Sequence, residues 1–341
     1  MTRLMHVCSQ RVLPAELMRL QSTVRSGGRT RAISPIGKFW MNGSTLRVRF
    51  MGGTAAQQAK VKEQAAWWTE HANLHFDFND APDAEIRIAF NTNDGAWSYV
   101  GTDNRGIALD QPTMNLGFMN GGTTAHEFGH AIGLAHEHQN PAGGMAWNEA
   151  AVIHDLSGPP NNWNEAQIRH NVLNKYRVDQ LNGTAFDPDS IMLYFFPGNW
   201  VQSGVGTHAN DVLSAMDKAF VASARAYPKS APTILDAKEL KVGATRRTAA
   251  AIGQAGEEDL FRFQVKTSGT HIVDTRGPTD VVMKLFGPHS PTALIAEDDD
   301  SGVDSNASIR ADLIPGLYHA QVRHHNKASG MGNYTIKVRK V

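Results

Sequence analysis

The most informative run of residues in this chain is His126-Glu127-Phe128-Gly129-His130-Ala131-Ile132-Gly133-Leu134-Ala135-His136. Residues four apart lie on one face of a helix, so His126 and His130 can present two imidazoles to one ion, with Glu127 beside them. Gly133 can adopt a positive φ without steric cost, which would end the helix and return His136 as a third ligand. Three imidazoles with an open fourth position are the ligand set of a catalytic zinc site.

Such a site gives Glu127 a chemical role. Zinc lowers the pKa of a water molecule at the open position towards about 7, and it polarises a carbonyl as a Lewis acid. We expect Glu127 to take the proton of this water and to deliver it to the leaving amine. The five positions would arise by chance on the order of 10⁻⁴ per chain, so the pattern favours function over accident. A fourth ligand would close the site, so we expect His138 to be a solvated loop residue.

The surrounding pattern predicts an α/β unit. Apolar and polar residues alternate in 45–50 and 84–90, which is typical of half-buried strands, and a helix over 55–72 is predicted between them. Strand, helix and strand in that order predict a crossover connection. A third strand is expected at 113–118, followed by a helix capped by Thr123 or Thr124. Residues 140–212 are expected to be mostly irregular, with a helix returning at 213–226.

Composition excludes several classes of protein. The 341 residues include 33 Lys+Arg and 33 Asp+Glu, so no basic field indicates nucleic acid as a partner. No apolar run approaches the roughly 18 residues that span a bilayer, so we expect no membrane insertion. The start of the chain has no sustained apolar stretch of the kind found in a secretory signal. A single cysteine, Cys8, excludes an internal disulfide.

The chain is predicted to have three parts. Residues 1–34 read as an N-terminal arm or pro-segment with a short helical pattern at 14–20, and residues 35–229 as the zinc-binding domain. A Pro-rich boundary at 228–238 precedes short alternating strands with Gly, Pro and Asp turns, so residues 235–341 are predicted to form a β-sandwich. The expected fold class is therefore α+β, a twisted mixed sheet with an active-site helix followed by an all-β domain.

The zinc motif resembles that of the metzincin metallopeptidases, and within them the astacin-like group, because Glu137 directly follows His136. Ser190-Ile191-Met192-Leu193-Tyr194 resembles the astacin Met-turn. The resemblance implies that Met192 forms the hydrophobic floor of the zinc site. It also implies that Tyr194 is a fifth ligand that can swing away to stabilise an oxyanion. A zinc-dependent endopeptidase acting on protein or peptide substrates is the activity that it implies.

The resemblance covers about residues 35–229 and also implies how substrate binds. An extended peptide would add to an edge strand of the sheet, for which 86–90 and 97–100 are the candidates. The chain departs from astacins proper because it cannot form their disulfides and lacks the aromatic residue that they favour after the glycine. Substrate specificity is therefore not transferred.

Residues from about 235 to 341 are similar to the bacterial pre-peptidase C-terminal domain, through Glu257-Glu258-Asp259 and Pro315-Gly316-Leu317-Tyr318 among other short motifs. Such domains are non-catalytic and often accompany secreted peptidases, which suggests a secreted protein. Asp298, Asp299 and Asp300 could bind Ca²⁺. A solvated acidic turn is the commoner explanation of such a run.

The role of Cys8 and the type of function each allow more than one interpretation. The thiolate of Cys8 could block the fourth zinc position, as in matrix metalloproteases, although the residues around it do not match their motif and an inert cysteine is favoured. The functional alternatives are a zinc-bearing pseudo-peptidase that binds a matrix or polysaccharide and a metzincin that acts on a non-peptide amide. The intact Glu127 argues against the pseudo-peptidase. We expect a monomer.

Overall fold

The computed structural model describes residues 9–11, 38–141, 143, 145–159, 161–175, 185–223, 226–229, 236–327 and 329–341. Cys8 and the helix predicted at 14–20 lie outside these residues, as does most of the predicted N-terminal arm. In the described part of the chain, no helix is both long enough and apolar enough to cross a bilayer.

The first part of the fold is a six-stranded mixed sheet. Its strands are β1 (Ser9–Arg11), β2 (Thr45–Phe50), β3 (His75–Asp77), β4 (Ile86–Ala89), β5 (Ala96–Tyr99) and β6 (Met114–Leu116). They lie in the order β1-β5-β6-β4-β2-β3. β5 and β6 are antiparallel, whereas the other neighbouring pairs are parallel. The parallel pair β2 and β4 confirms the predicted crossover connection.

In the described part of the chain five α-helices accompany this sheet: α1 (Ala55–Thr69), α2 (Thr123–Ala131), α3 (Glu149–Ser157), α4 (Glu165–Ile168) and α5 (Ala215–Val221). A π-helix continues α4 over Arg169–Leu173, and short 3₁₀ turns cover Gly101–Gly106, Glu137–Gln139 and Gly198–Trp200. The backbone over the described residues of 140–212 is mostly irregular, as predicted, apart from α3, α4, the π-helix and the turn Gly198–Trp200. These are short pieces whose buried faces, Val152 and Leu156 in α3, are too brief to give a periodic signal.

The helix α2 begins without a cap from its own N-cap residue, and the Gln64 side chain instead accepts from the Ala125 N–H at 3.1 Å. Its N-cap residue is Gly122, which makes no side-chain capping bond, so the predicted cap by Thr123 or Thr124 was wrong. Thr124 is instead fully buried. Trp68 of α1 is also fully buried and donates from Nε1 to the Ala125 carbonyl oxygen at 2.7 Å. The two helices are thereby fixed against each other under the sheet.

The sheet order corrects one of the two candidates for the substrate-binding edge. β4 lies between β6 and β2 in the interior of the sheet, so the candidate at 86–90 was wrong. Its alternating pattern did not distinguish an interior strand from an edge strand. β5, which covers most of the other candidate, lies one strand from the edge, because β1 pairs with it.

The C-terminal part is a sandwich of two antiparallel sheets, as predicted. Its strands are β7 (Lys238–Glu239), β8 (Thr248–Ile252), β9 (Glu258–Val265), β10 (Gly269–Arg276), β11 (Val281–Phe286), β12 (Leu294–Asp298), β13 (Ser308–Leu313), β14 (Gly316–His324) and β15 (Gly332–Lys340). One sheet has the order β13-β10-β15-β8, and the other has the order β12-β11-β14-β9-β7. Only the short pair β7 and β9 is parallel.

The sandwich packs directly against the first part of the chain. Met41 is fully buried in a small apolar cluster with Leu260 and Phe286 of the sandwich. Thr292 donates to the carboxylate of Glu85 at 2.9 Å in a buried position. The predicted domain limits stay a prediction, but the contacts show that the two parts share buried surface.

Candidate metal centre

Three buried histidines converge at the end of α2. His126 and His130 lie on this helix, one turn apart, and His136 lies just after the turn that follows it. One side-chain nitrogen from each residue lies within 4.8 Å of the corresponding nitrogens of the other two. The Nε2 atoms of His130 and His136 are 2.9 Å apart. Among the described residues this is the one group of three or more such side chains with the spacing of a metal site.

Backbone carbonyls set the orientation of two of these rings. His126 donates from Nδ1 to the Ile191 carbonyl at 2.7 Å, and His130 donates from Nδ1 to the Leu134 carbonyl at 2.8 Å. A carbonyl oxygen only accepts, so Nδ1 carries the proton and the Nε2 lone pair is left for another partner. Metal-binding histidines ordinarily have their second nitrogen held in this way.

His136 is oriented differently. No hydrogen-bond partner of its Nδ1 lies among the described residues. Its ring instead stacks on that of His138, with centroids 5.1 Å apart and an interplanar angle of 24°. His138 is fixed in turn by a 3.0 Å hydrogen bond between Nε2 and the Asn171 carbonyl of the π-helix. The expectation that His138 is a solvated loop residue was therefore wrong, because it is buried and supports the neighbouring ring.

Burial keeps these imidazoles neutral. Desolvation lowers the pKa of His126 to about 4 and that of His138 to about 3. The pKa values of His130 and His136 are also well below the usual value, first because of burial and then because neighbouring histidines repel a second positive charge. A neutral imidazole is the form that binds a metal, so the site is ready for a cation at neutral pH.

Two glycines shape the site: Gly133 ends α2, and Gly129 leaves room for Met192 to pack against this helix. Gly133 has φ +107°, a conformation that other residues rarely adopt, and a Cβ there would meet Phe39 at 2.8 Å. The predicted role of Gly133 in turning the chain is consistent with this geometry. Gly129 was not singled out from the sequence. A Cβ at Gly129 would come within 2.4 Å of Met192 Sδ, so only glycine lets this methionine pack against the helix.

Tyr194 also lies at the histidine cluster. Its hydroxyl forms a short hydrogen bond with His136 Nε2, and its ring centroid is 5.0 Å from that of His126. Glu127 lies on the same helix as the first two histidines, and its side chain is fully buried. The structure thus brings Tyr194 to the three histidines and places Glu127 on the helix that carries two of them.

These residues fit zinc. His126 Nε2 is buried and has no hydrogen-bond partner among the described residues, although a buried polar nitrogen without a partner costs free energy. Zn–N bonds of about 2.0–2.1 Å place tetrahedral ligand nitrogens roughly 3.3 Å apart, which is within the spacing of this cluster. All three candidate ligands are imidazoles, which zinc accepts readily, and two already have their second nitrogen held.

The acidic run in the sandwich has a different environment. The Asp298 carboxylate is buried and accepts hydrogen bonds from the backbone N–H groups of Ser301 and Ser308 and from the Ser301 hydroxyl. Asp299 lies 3.8 Å from a ring nitrogen of His325. Within the described chain these carboxylates do not form a candidate metal group, so a calcium site here is not supported.

Comparison with known proteins assigns the N-terminal part of the chain to a peptidase family. A sequence model of the astacin peptidase family matches residues 33–207, just over half of the chain. Tolloid-like protein 1 of Mus musculus and that of Homo sapiens are each 28% identical to this chain over 164 residues. That match covers 48% of this chain and 15% of each relative, so this chain spans a small fraction of these relatives' length.

A solved structure supports the same family assignment. The structure of myroilysin is 34% identical, covers 55% of this chain and 96% of its own, and superposes with a TM-score of 0.53. The pre-peptidase C-terminal domain of a Bacillus anthracis collagenase covers 30% of this chain at 14% identity and a TM-score of 0.26. Because this identity and this TM-score are both low, the resemblance of the sandwich to such domains stays a prediction. From the match over residues 33–207 and the likeness to myroilysin, the chain belongs to the astacin family of peptidases.

Proposed function

We propose that this protein is a zinc-dependent endopeptidase whose metal is held by His126, His130 and His136. The observation that carries the proposal is the convergence of one nitrogen from each histidine within 4.8 Å of the others. Membership of a zinc-dependent metallopeptidase family supports it. The buried Glu127 on the same helix argues against the pseudo-peptidase alternative, since a carboxylate suited to act as a base is present.

Glu127 is proposed as the general base and acid. When bound, zinc supplies Lewis acidity that makes water more acidic and polarises the substrate carbonyl. Glu127 is a buried residue of the helix that carries His126 and His130, and its proposed role is to accept the proton of the attacking water. It then returns this proton to the leaving amine nitrogen. Its burial shields both transfers from bulk solvent.

Tyr194 is proposed to stabilise the negative charge that develops on the substrate carbonyl oxygen. Its hydroxyl hydrogen-bonds to His136 and therefore lies at the edge of the histidine cluster. A phenol hydroxyl donates one hydrogen bond and can turn away from the imidazole towards a substrate oxygen. Met192 lies against Gly129 of α2 and keeps the floor of the site apolar.

The substrate is proposed to bind as an added strand beside β5. β5 is antiparallel to β6, and its outer edge faces the N-terminal segment β1. An extended peptide at that edge would exchange backbone hydrogen bonds with β5. In the structure β1 takes this position, in parallel register from Ser9 opposite Trp97 to Arg11 opposite Tyr99.

The N-terminal arm is therefore proposed to be a pro-segment that competes with substrate. Arg11 anchors it, because its guanidinium donates to both carboxylate oxygens of Asp94, at 3.0 and 2.9 Å. The same group lies 3.6 Å from the ring centroid of Trp97. Secretion, the monomeric state and a role for Cys8 in latency stay predictions.

The proposed activity is tested by cleavage of an unfolded protein such as casein by the purified chain. Cleavage is expected to stop in the presence of a zinc chelator and to return when zinc is added back, because the metal supplies the Lewis acid. A substrate panel that includes non-peptide amides separates the peptidase from the amide alternative. Cleavage that persists unchanged in the chelator would reject zinc dependence.

The arm is tested by the variant Arg11→Ala. Loss of an exposed ion pair and a cation–π contact removes about 1 kcal/mol from arm docking, which corresponds to a rise of about fivefold in kcat/KM for casein peptides. Arg276→Ala, at an exposed position in the sandwich, is the control and should leave kcat/KM unchanged. If Arg11→Ala and Arg276→Ala gave the same kcat/KM as the parent chain, the arm would not compete with substrate.

A further inference from the structure

The proposed zinc ligand His126 is held by a segment that itself depends on one buried carboxylate. The ring of His126 donates to the Ile191 carbonyl, which belongs to the turn 190–194. Asp217, on the short helix α5, contacts this turn from behind and is buried. It lies more than 20 residues from the turn along the chain, so the contact is tertiary.

Asp217 receives three hydrogen bonds. Ser190 donates from its hydroxyl to Oδ1 at 2.7 Å, and the Ile191 N–H donates to Oδ2 at 2.8 Å. The Ser214 N–H also donates to Oδ2, at 3.0 Å. Two of the three donors therefore come from the turn that carries the carbonyl partner of His126. Hydrogen bonds to a carboxylate are about twice as strong as those between neutral groups.

The hydrogen bonds around Asp217 also extend to the segment beside His136. Ser214 accepts from the Asp217 N–H at 2.9 Å and donates from its hydroxyl to Asp187 at 2.6 Å. The Asp187 N–H donates to the carboxylate of Glu137 at 3.0 Å. Glu137 directly follows the third histidine in the chain. One network of hydrogen bonds thus connects the carbonyl partner of His126 with the residue that follows His136 in the chain.

We propose that Asp217 is a positioning residue for the metal, acting through Ser190 and the Ile191 carbonyl to hold His126 in the tautomer and orientation that a cation requires. Outer partners of metal ligands commonly affect affinity by about 10–100-fold, although they do not touch the ion. The sequence does not indicate this role, because Asp217 stands in a helix far from the zinc motif. The inference rests on the proposed zinc site.

The test is the zinc dissociation constant of Asp217→Asn in the full chain, measured by competition with a chelator of known affinity. The asparagine amide has the same shape and can offer its one oxygen to the Ile191 and Ser214 N–H groups, but its NH₂ group cannot accept from the Ser190 hydroxyl, and the negative charge that strengthens all three hydrogen bonds is lost. Zinc affinity is expected to fall by about 10–100-fold. The visible absorption spectrum of the cobalt-substituted protein should change as well, because it reports the ligand geometry independently of activity.

A matched control is available in the sandwich. Asp298 is also buried and also accepts from two backbone N–H groups and one serine hydroxyl, but none of these donors leads to a histidine of the cluster. Asp298→Asn is expected to lower the melting temperature while leaving the zinc affinity within about twofold. Ser190→Ala removes two hydrogen bonds, the one to Asp217 and the one accepted from the Met192 N–H at 3.0 Å, and should weaken zinc binding by at least about fivefold. If Asp217→Asn does not fold, the zinc affinity of Ser190→Ala tests the positioning role instead.

The outcomes are distinct. Unchanged zinc affinity and an unchanged cobalt spectrum in Asp217→Asn, or in Ser190→Ala if the former does not fold, would overturn the positioning role. Equal weakening by Asp217→Asn and Asp298→Asn would also overturn it, because loss of general stability would then explain both. If the parent chain bound no zinc, the proposed function itself would fail.

Discussion

The variant Glu127→Gln is expected to cleave casein at least about 10²-fold more slowly than the parent chain, and up to about 10⁴-fold, with its zinc content unchanged. Glutamine has the shape of glutamate but cannot accept a proton at neutral pH. Since the side chain is fully buried on α2, no solvent carboxylate or buffer base can replace it efficiently. The loss should appear in kcat, because the proton is transferred in the transition state.

The control for this variant is Glu165→Gln, which makes the same chemical change at an exposed position of α4. It should retain the parental rate. The zinc content of both variants, measured by atomic absorption, separates loss of the base from loss of the metal. A Glu127→Gln protein that bound zinc and kept more than about a tenth of the parental kcat would rule out this residue as the base.

The variant Arg87→Met is expected to destabilise the six-stranded sheet by at least about 3 kcal/mol. Arg87 of β4 is 1% exposed, and its guanidinium donates to the backbone carbonyls of Ala84, Ile107, Ala108 and Gln111 at 2.8–3.1 Å. Methionine fills much of the volume but donates nothing, so several carbonyls would lose their partner in a buried environment. Each such loss costs about 1–3 kcal/mol.

Thermal unfolding followed by near-ultraviolet circular dichroism measures this effect. For a domain of about 150–250 residues a loss of about 3 kcal/mol corresponds to a fall of about 6–12 °C in Tm. Arg310→Met, at an exposed position of β13, should change Tm by less than about 2 °C. If Arg87→Met unfolded at the parental temperature, the guanidinium would not be needed to hold the loop before β6.

The histidine cluster could be predicted from the sequence because its signal is local. His126, Glu127 and His130 lie on one helix, so their mutual position follows from the helical repeat alone. Gly133 then requires only one residue to adopt an unusual backbone conformation. Met192 and Tyr194 lie far along the chain from the helix, and no periodicity connects them to it. They were identified because they resemble the Met-turn of a known family.

The features that sequence reasoning missed are tertiary. Asp217 looks like an ordinary third residue of a helix that begins after Ser214, and only the fold brings its carboxylate to Ser190 and Ile191. Arg87 looks like the polar position of an alternating strand, yet its side chain is buried by the loop that follows β5. One of the two candidate edge strands, 86–90, was wrong for the same reason, because strand order is set by long-range pairing that alternation does not reveal.

Metal analysis of the purified full chain tests whether three imidazole nitrogens bind one zinc ion. We predict one zinc per chain, bound through nitrogen ligands as seen by X-ray absorption at the zinc edge, and lost when His130 is replaced by alanine. A parent chain that bound no zinc in the presence of excess metal, or a His130→Ala variant that kept its full complement, would contradict the account.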